Sequence, residues 1–245
     1  MAEGPRVKKA TARSPYRAFY IALAVVAVLG VAALVWSVAR GREKKVAVRP
    51  LDLGALAENP RALHEKAVPM KAGPDSARVR IVVFSDFTCP YCARFAAEVQ
   101  PQLMRDFVNP GKVQLVYYDF PLGGEGEHRF SFLAARAGRC AAEQGKFWPF
   151  HDLIFGQQSE WSFQSGLPVE YFERDAARLG LDRRRFAECL ESDRYVDVVA
   201  ANRLLGERLG VDRTPTVIMD QRRIEDPLDY GDFKRRIGAA LGGAR

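Results

Sequence analysis

Cysteine and histidine are scarce in this 245-residue chain, which has four of the first and three of the second. Cys89 and Cys92 form one close pair, while Cys140 and Cys189 stand singly. His64, His128 and His151 fall at no ligand spacing from any of them. Zinc, which takes four ligands commonly supplied by two paired knuckles, is therefore disfavoured, and no other cofactor is implied. Internal repeats and low-complexity tracts are also missing. Apolar residues make up 48% and charged residues 27%, which excludes wholesale disorder and fibrous architecture. Most of the chain lacks a basic excess as well. The net charge is +7, but residues 1–50 hold ten of the 37 Lys/Arg and two of the 30 Asp/Glu, leaving 27 basic against 28 acidic groups elsewhere. That balance offers no surplus to neutralise phosphates and argues against nucleic acid as a partner.

The one long apolar run is near the start. Phe19 to Val38 is twenty residues without a charge, rich in Ala, Val and Leu. As a helix it spans about 30 Å, the thickness of a bilayer's hydrocarbon core. Tyr16, Tyr20 and Trp36 stand where interfacial aromatics are expected. Ser37-Val38-Ala39 offers a small-x-small cleavage site, but signal-peptide apolar regions usually run only about 7–15 residues. The expectation is an uncleaved anchor over 19–38 in contact with the lipid bilayer. It follows a tail of residues 1–18, expected to be cytoplasmic. Five Lys/Arg precede the span and five follow it, so charge does not orient it.

Residues 39–78 read as a linker. Pro50, Pro60, Pro69, Gly73 and Pro74 interrupt it, with a short helix starting near Asn59-Pro60. The globular domain is expected over 79–241. Val79–Ser85 is a dense β-branched and aromatic run, read as a buried strand. The helix that follows runs to about Val108, with Phe95, Val99, Leu103 and Phe107 spaced by four along one face and a kink at Pro101. A second strand covers Lys112–Tyr118. A helical block at about 127–210 comes next, its helices beginning near Glu127, Trp148, Pro168, Leu181 and Tyr195. Pro215–Asp220 reads as a strand, Arg222–Ile224 as a short edge strand, and Asp229–Leu241 as a last helix.

Cys89-Pro90-Tyr91-Cys92 ends the first strand and opens the first helix of the domain. Unpaired N–H groups and the positive dipole end at a helix start stabilise an anion. Cysteines placed there fall from a pKa of about 8.5 into the range of roughly 3.5–7.5. Cys92 lies one turn further in and is expected to be less exposed. Pro90 suits the first turn, because it lacks an N–H and has a preset φ. An inert structural disulfide is the competing reading of this pair.

The segment Phe84-Ser85-Asp86-Phe87-Thr88-Cys89-Pro90-Tyr91-Cys92 resembles the active site of DsbA-like thiol–disulfide oxidoreductases. Tyr118-Asp119-Phe120-Pro121-Leu122, Cys140 to Trp148, and Gly210 to Val217 resemble further stretches of that family. The resemblance covers about residues 79–241 and is closest to membrane-anchored or exported members with Cys-Pro-Tyr-Cys. It implies an α/β thioredoxin-like fold with an inserted all-helical domain, here preceded by one transmembrane helix. Cys89 becomes the catalytic, substrate-contacting sulfur and Cys92 its partner in a redox-active disulfide. Pro90 and Tyr91 are their active-site context. Pro215 is the expected cis-proline, and Thr214 lines the substrate groove.

The chain departs from many thioredoxin-fold proteins at Val83, where a buried acid often stands six residues before the first cysteine. Asp86 is the alternative proton carrier, although a strand-end carboxylate reads more simply as solvated. The implied activity is dithiol oxidation of reduced exported proteins, with a membrane redox partner restoring the pair. The catalytic domain then faces the extracytoplasmic, periplasmic side of the cytoplasmic membrane. Reductase or isomerase chemistry by the same cysteines is the alternative, as is a tethered non-enzymatic chaperone or metal carrier. In an oxidising compartment Cys140 and Cys189 form a possible second disulfide, closing a long loop. Two buried free cysteines remain the other reading. Phe147, Trp148, Phe150 and Phe155 are more simply core than a peptide-binding surface. Arg183-Arg184-Arg185 reads as a solvated helix face.

Overall fold

The computed structural model describes residues 16–40, 57–123 and 128–242. The tail up to residue 15, linker residues 41–56 and a helix start at Glu127 lie outside the described residues. The chain forms two units, Met1–Lys44 and Lys45–Arg245.

In the first unit Arg17–Arg40 is one helix, α1. Its apolar side chains described between Phe19 and Ala33 are all exposed. Among the described residues no helix is long and apolar enough to cross a membrane; the longest run of α1 with described side chains is 19–33.

The second unit begins earlier than residue 79. Helix α2, Pro60–Lys66, is capped by the Asn59 side chain accepting from Ala62 N–H at 3.1 Å, and strand β1, Met70–Ala72, follows. Both lie in the stretch read as a linker. Leu63 and Ala67 are buried against Ala201, so the short helix expected from Asn59-Pro60 packs on the domain.

Strand β2, Val79–Ser85, leads through a short loop into α3, a continuous helical run of Pro90–Arg94, Phe95–Val99, Gln100–Leu103 and Met104–Val108. The Phe95–Val99 and Met104–Val108 segments are π-turns, with Gln100 N–H reaching back to Phe95 O. Pro101 has no N–H to offer the Ala97 carbonyl, and a widened turn just before it accommodates the missing bond. Strand β3, Val113–Asp119, pairs parallel with β2, Ser85 opposite Asp119. Among the described residues six α-helices follow: α4, Ser131–Ala142; α5, Phe147–Gly156; α6, Gln158–Trp161; α7, Val169–Arg178; α8, Arg183–Glu191; and α9, Val196–Arg208. Strands β4, Thr216–Met219, and β5, Arg222–Arg223, and helix α10, Tyr230–Gly242, complete the chain.

The sheet order is β1-β3-β2-β4-β5, with only the β2–β3 pair parallel. Strands β2 and β3 are dense in apolar residues because most of both faces is covered, although Arg80 is exposed and Val82 and Tyr118 are half-buried. Val79, Ile81, Val83, Val113, Leu115, Val217 and Met219 pack against Phe95, Val99 and Leu103 of α3 and Phe233 and Ile237 of α10. Phe84 and Phe120 face the other way with Val211. There α9 approaches so closely that a Cβ on Gly206 would stand 2.6 Å from Phe120 Cδ2. Phe147, Phe150 and Phe155 are buried in the helical block, while Arg183, Arg184 and Arg185 are exposed.

Candidate active site

The β2 ladder ends at Ser85, and residues 86–88 turn the chain into α3. Cys89 is the N-cap of α3, with φ −78° and ψ 122°, and Pro90 is its first helical residue. The cap carbonyl of Cys89 accepts from Ala93 N–H at 3.1 Å. Cys89 is 6% exposed and Cys92 1%, so both thiols are more enclosed than a helix start on the surface implies. Both are free thiols here.

The two thiols differ because their surroundings do. Cys89 is pulled down to about 6, first by a hydrogen bond from Cys92, then by Thr214 and by the Cys92 and Tyr91 backbone N–H groups, against the cost of burial. Burial pushes the Cys92 thiol well above the ordinary range, and its anionic neighbour adds to this. The pair therefore ionises at one sulfur only, the one at the head of α3.

Three other segments complete the site. Thr214 and Pro215 are joined by a cis peptide bond. Thr214 O accepts the Cys89 thiol at 3.3 Å, and its buried hydroxyl has no partner among the described residues. Arg223 holds this turn, donating to Asp212 Oδ1 and to Thr216 Oγ1, each at 2.8 Å. From the helical block, Gln158 Nε2 donates to the carbonyls of Phe87 (2.7 Å) and Cys89 (3.0 Å). The Phe87 ring packs between Phe155 and Tyr117, with centroids 4.8 and 6.0 Å away. Tyr91 is 61% exposed beside the thiols.

Asp86 is not the solvated strand-end carboxylate expected. It is 1% exposed, and its side chain accepts from Thr88 N–H at 2.8 Å, Thr88 Oγ1 at 2.9 Å, Leu122 N–H at 2.8 Å and Ser131 Oγ. The turn leaving β2 folds it inward. Thr88 is a local partner, but Leu122 and Ser131 come from 36 and 45 residues downstream, which no local pattern announces. Gln158 was equally invisible in the sequence.

Cys140 on α4 and Cys189 on α8 form a disulfide with a Cα–Cα distance of 5.8 Å. His151 is buried and contacts Asp152 at 2.8 Å; His64 is exposed. Among the described residues no group of three or more His, Cys, Asp or Glu is placed to hold a metal ion.

A cysteine pair at a helix start, faced by a cis-proline turn on a five-stranded sheet with a helical insertion, defines a DsbA-like thiol:disulfide oxidoreductase. The chain belongs to the family described as Thioredoxin, whose model matches residues 65–239. Similar proteins make the placement more particular. The probable disulfide bond formation protein D of Bacillus cereus is 30% identical over 175 residues, covering 69% of this chain and 77% of that protein. The Na+/H+ antiporter NhaA 3 of Salinispora tropica is 32% identical over 173 residues, or 71% of this chain. The chain spans only 25% of that relative's length. BdbD of Bacillus subtilis, in its oxidised crystal structure, superposes with a TM-score of 0.62 at 24% identity, covering 71% of this chain and 92% of BdbD. That likeness is one of fold.

Proposed function

We propose that this protein is a dithiol oxidase, anchored in the cytoplasmic membrane by residues 19–38, that introduces disulfides into exported proteins through Cys89 and Cys92. The observation that carries this reading is the unequal pair: Cys89 lowered to about 6 at the head of α3, and Cys92 buried and raised. A thiolate that is stable when it leaves makes its disulfide a strong oxidant.

In the oxidised protein a substrate thiolate attacks Cys89 Sγ, and Cys92 leaves and takes up a proton. A second substrate thiolate then attacks the substrate sulfur of this mixed disulfide, expelling Cys89 as the thiolate. Two electrons pass from the substrate thiols to the pair, and a membrane redox partner takes them up in turn. Thr214 and Pro215 line the groove where the substrate strand lies. The relatives named for disulfide bond formation support this direction.

The measurement is the reduction potential of the Cys89–Cys92 couple. A value toward the oxidising end of the thioredoxin-fold range, near −120 mV rather than about −270 mV, is expected. A value at the reducing end overturns the oxidase in favour of a reductase. Cys89→Ser abolishes turnover; retained activity together with stoichiometric bound metal would favour a tethered carrier. The anchor rests on the uncharged run of twenty residues, and the extracytoplasmic domain on the compartment that oxidative chemistry requires. Alkaline phosphatase fused after Arg49 is expected to be active. A fluorescent cytoplasmic fusion at the same point contradicts the orientation.

A further inference from the structure

Asp86 touches both cysteines through its main chain. Its N–H donates to Cys92 Sγ at 3.5 Å, and its carbonyl accepts from Cys89 N–H at 3.1 Å. Its side chain is held from three other places: Thr88 in the same loop, Leu122 after β3, and Ser131 at the start of α4. Four donors on two oxygens leave the carboxyl fully occupied, so it has no free lone pair aimed at the Cys92 proton.

The network extends by one further residue. The hydroxyls of Thr88 and Ser131 both reach the Asp86 carboxyl and lie 3.1 Å from each other. His128 Nδ1 lies 2.8 Å from Thr88 Oγ1. Which of the two donates is set by the imidazole tautomer. Its imidazole is 29% exposed and stands 3.8 Å from Asp86 Oδ2, so the network runs from beneath the dithiol to the surface.

We propose that Asp86 is the positioning residue of the redox couple. Its carboxyl group, held by Thr88, Leu122 and Ser131 and backed by His128, fixes the 86–89 loop. Cys89 is thereby set at the head of α3, and Cys92 beneath the Asp86 N–H. The inference rests on reading Cys89 and Cys92 as the exchanging pair.

Charge and positioning make opposite predictions. A buried carboxylate near a thiolate opposes it, so removing the charge alone lowers the Cys89 midpoint. Releasing the loop misaligns Cys89 with the α3 N–H groups and the Cys92 thiol, which raises it.

The experiment uses the full-length protein in detergent. It follows thiolate absorbance against pH and the dithiol–disulfide equilibrium with glutathione, in Asp86→Asn, Thr88→Val and Thr88→Ser. Asp86→Asn is expected to raise the Cys89 midpoint by about one unit. The same change favours the disulfide about tenfold, moving the potential about 30 mV lower. Thr88→Val moves both readouts the same way by less, and Thr88→Ser, which keeps the hydroxyl, restores them. If thermal unfolding shows that Asp86→Asn does not fold, the Thr88 pair decides the question. A midpoint that falls or stays put in a folded variant overturns the proposal, as does Thr88→Ser behaving like Thr88→Val. A wild-type protein with no dithiol–disulfide equilibrium at all would instead overturn the oxidoreductase reading beneath it.

Discussion

The Cys89 thiol points at the backbone carbonyl of Thr214, 3.3 Å away. That contact suits the protonated sulfur and no other state, because a thiolate has nothing to donate to a carbonyl oxygen. On ionisation the stabilisation must pass to donors: the Cys92 thiol, the N–H groups of the first turn of α3, and the Thr214 side chain. The cis-proline turn thus presents an acceptor to one protonation state and a hydroxyl to the other.

The potential of the couple is expected to change slope with pH near 6. Below the Cys89 midpoint of about 6, two protons accompany two electrons, and the potential falls by about 60 mV per pH unit. Above it only the raised Cys92 carries a proton, and the slope halves to about 30 mV. A redox titration from pH 4 to pH 9 locates the break (about one tenfold step in equilibrium per proton). A single slope of two protons throughout rules out the lowered Cys89.

The reduced protein gains stability from the same group, with a definite sign. Cys89 is lowered in the folded state relative to about 8.5 when unfolded. Its contribution is fully present above that unfolded value and is lost as pH falls through about 6. Denaturant titrations of reduced protein at pH 5 and pH 9 measure it. Cys89→Ala is expected to flatten the difference between the two.

Arg139→Met is expected to cost about 3–5 kcal/mol, the penalty for stranding one member of a buried pair. Arg139 Nε donates to Asp119 Oδ2 at 2.7 Å, Asn202 Nδ2 approaches the same oxygen at 3.3 Å, and both charged side chains are 1% exposed. Burial raises the Asp119 carboxyl more than Arg139 lowers it. Replacing both, as Asp119→Asn with Arg139→Met, should therefore recover much of the loss. Equilibrium unfolding of the two single variants and the double variant closes the cycle.

Gly206→Ala is expected to destabilise by about 1–3 kcal/mol, as overpacking does. The added methyl would meet Phe120 at 2.6 and 2.7 Å and Phe84 at 3.0 Å, and both rings are wedged between α9 and the sheet. A smaller partner at the contact, Phe120→Leu, should partly relieve it in a thermal melt of the double variant.

Replacing Cys140 and Cys189 together by alanine should cost up to roughly 4 kcal/mol, the chain-entropy value for the loop they close. The separation is 49 residues. Peptide mapping of unreduced protein, with free thiols alkylated first, should recover these two as one linked pair.

Strand β2, the face of α3 and the order of the helical block were legible because each follows an apolar period. Phe95, Val99 and Leu103 repeat every four residues and are buried together. Strand β1 was not legible. Three residues at a sheet edge, Met70–Ala72, carry no period and owe their conformation to pairing with Leu115, Val116 and Tyr117. Pro101 predicts a kink because proline removes an N–H; that α3 answers with widened turns rather than a bend is not written in its apolar period. Cys89 and Cys92 stood out through spacing and position. Asp86 stands out only as an alternative proton carrier; that Leu122, Ser131 and His128 close on it and on Thr88 leaves no trace in local sequence, because they come from a loop and a helix start far along the chain.

The second disulfide has a consequence for a protein that handles disulfides. Cys140 is 1% exposed and Cys189 2%, and thiol exchange requires the incoming sulfur to approach in line with the bond it breaks. Neither end of that bond is open to such an approach. Exchange at the other pair enters through Cys89, which is 6% exposed at the head of α3, and small thiols that recharge or discharge it there pass the Cys140–Cys189 bond by. The protein keeps its own staple out of the traffic it conducts.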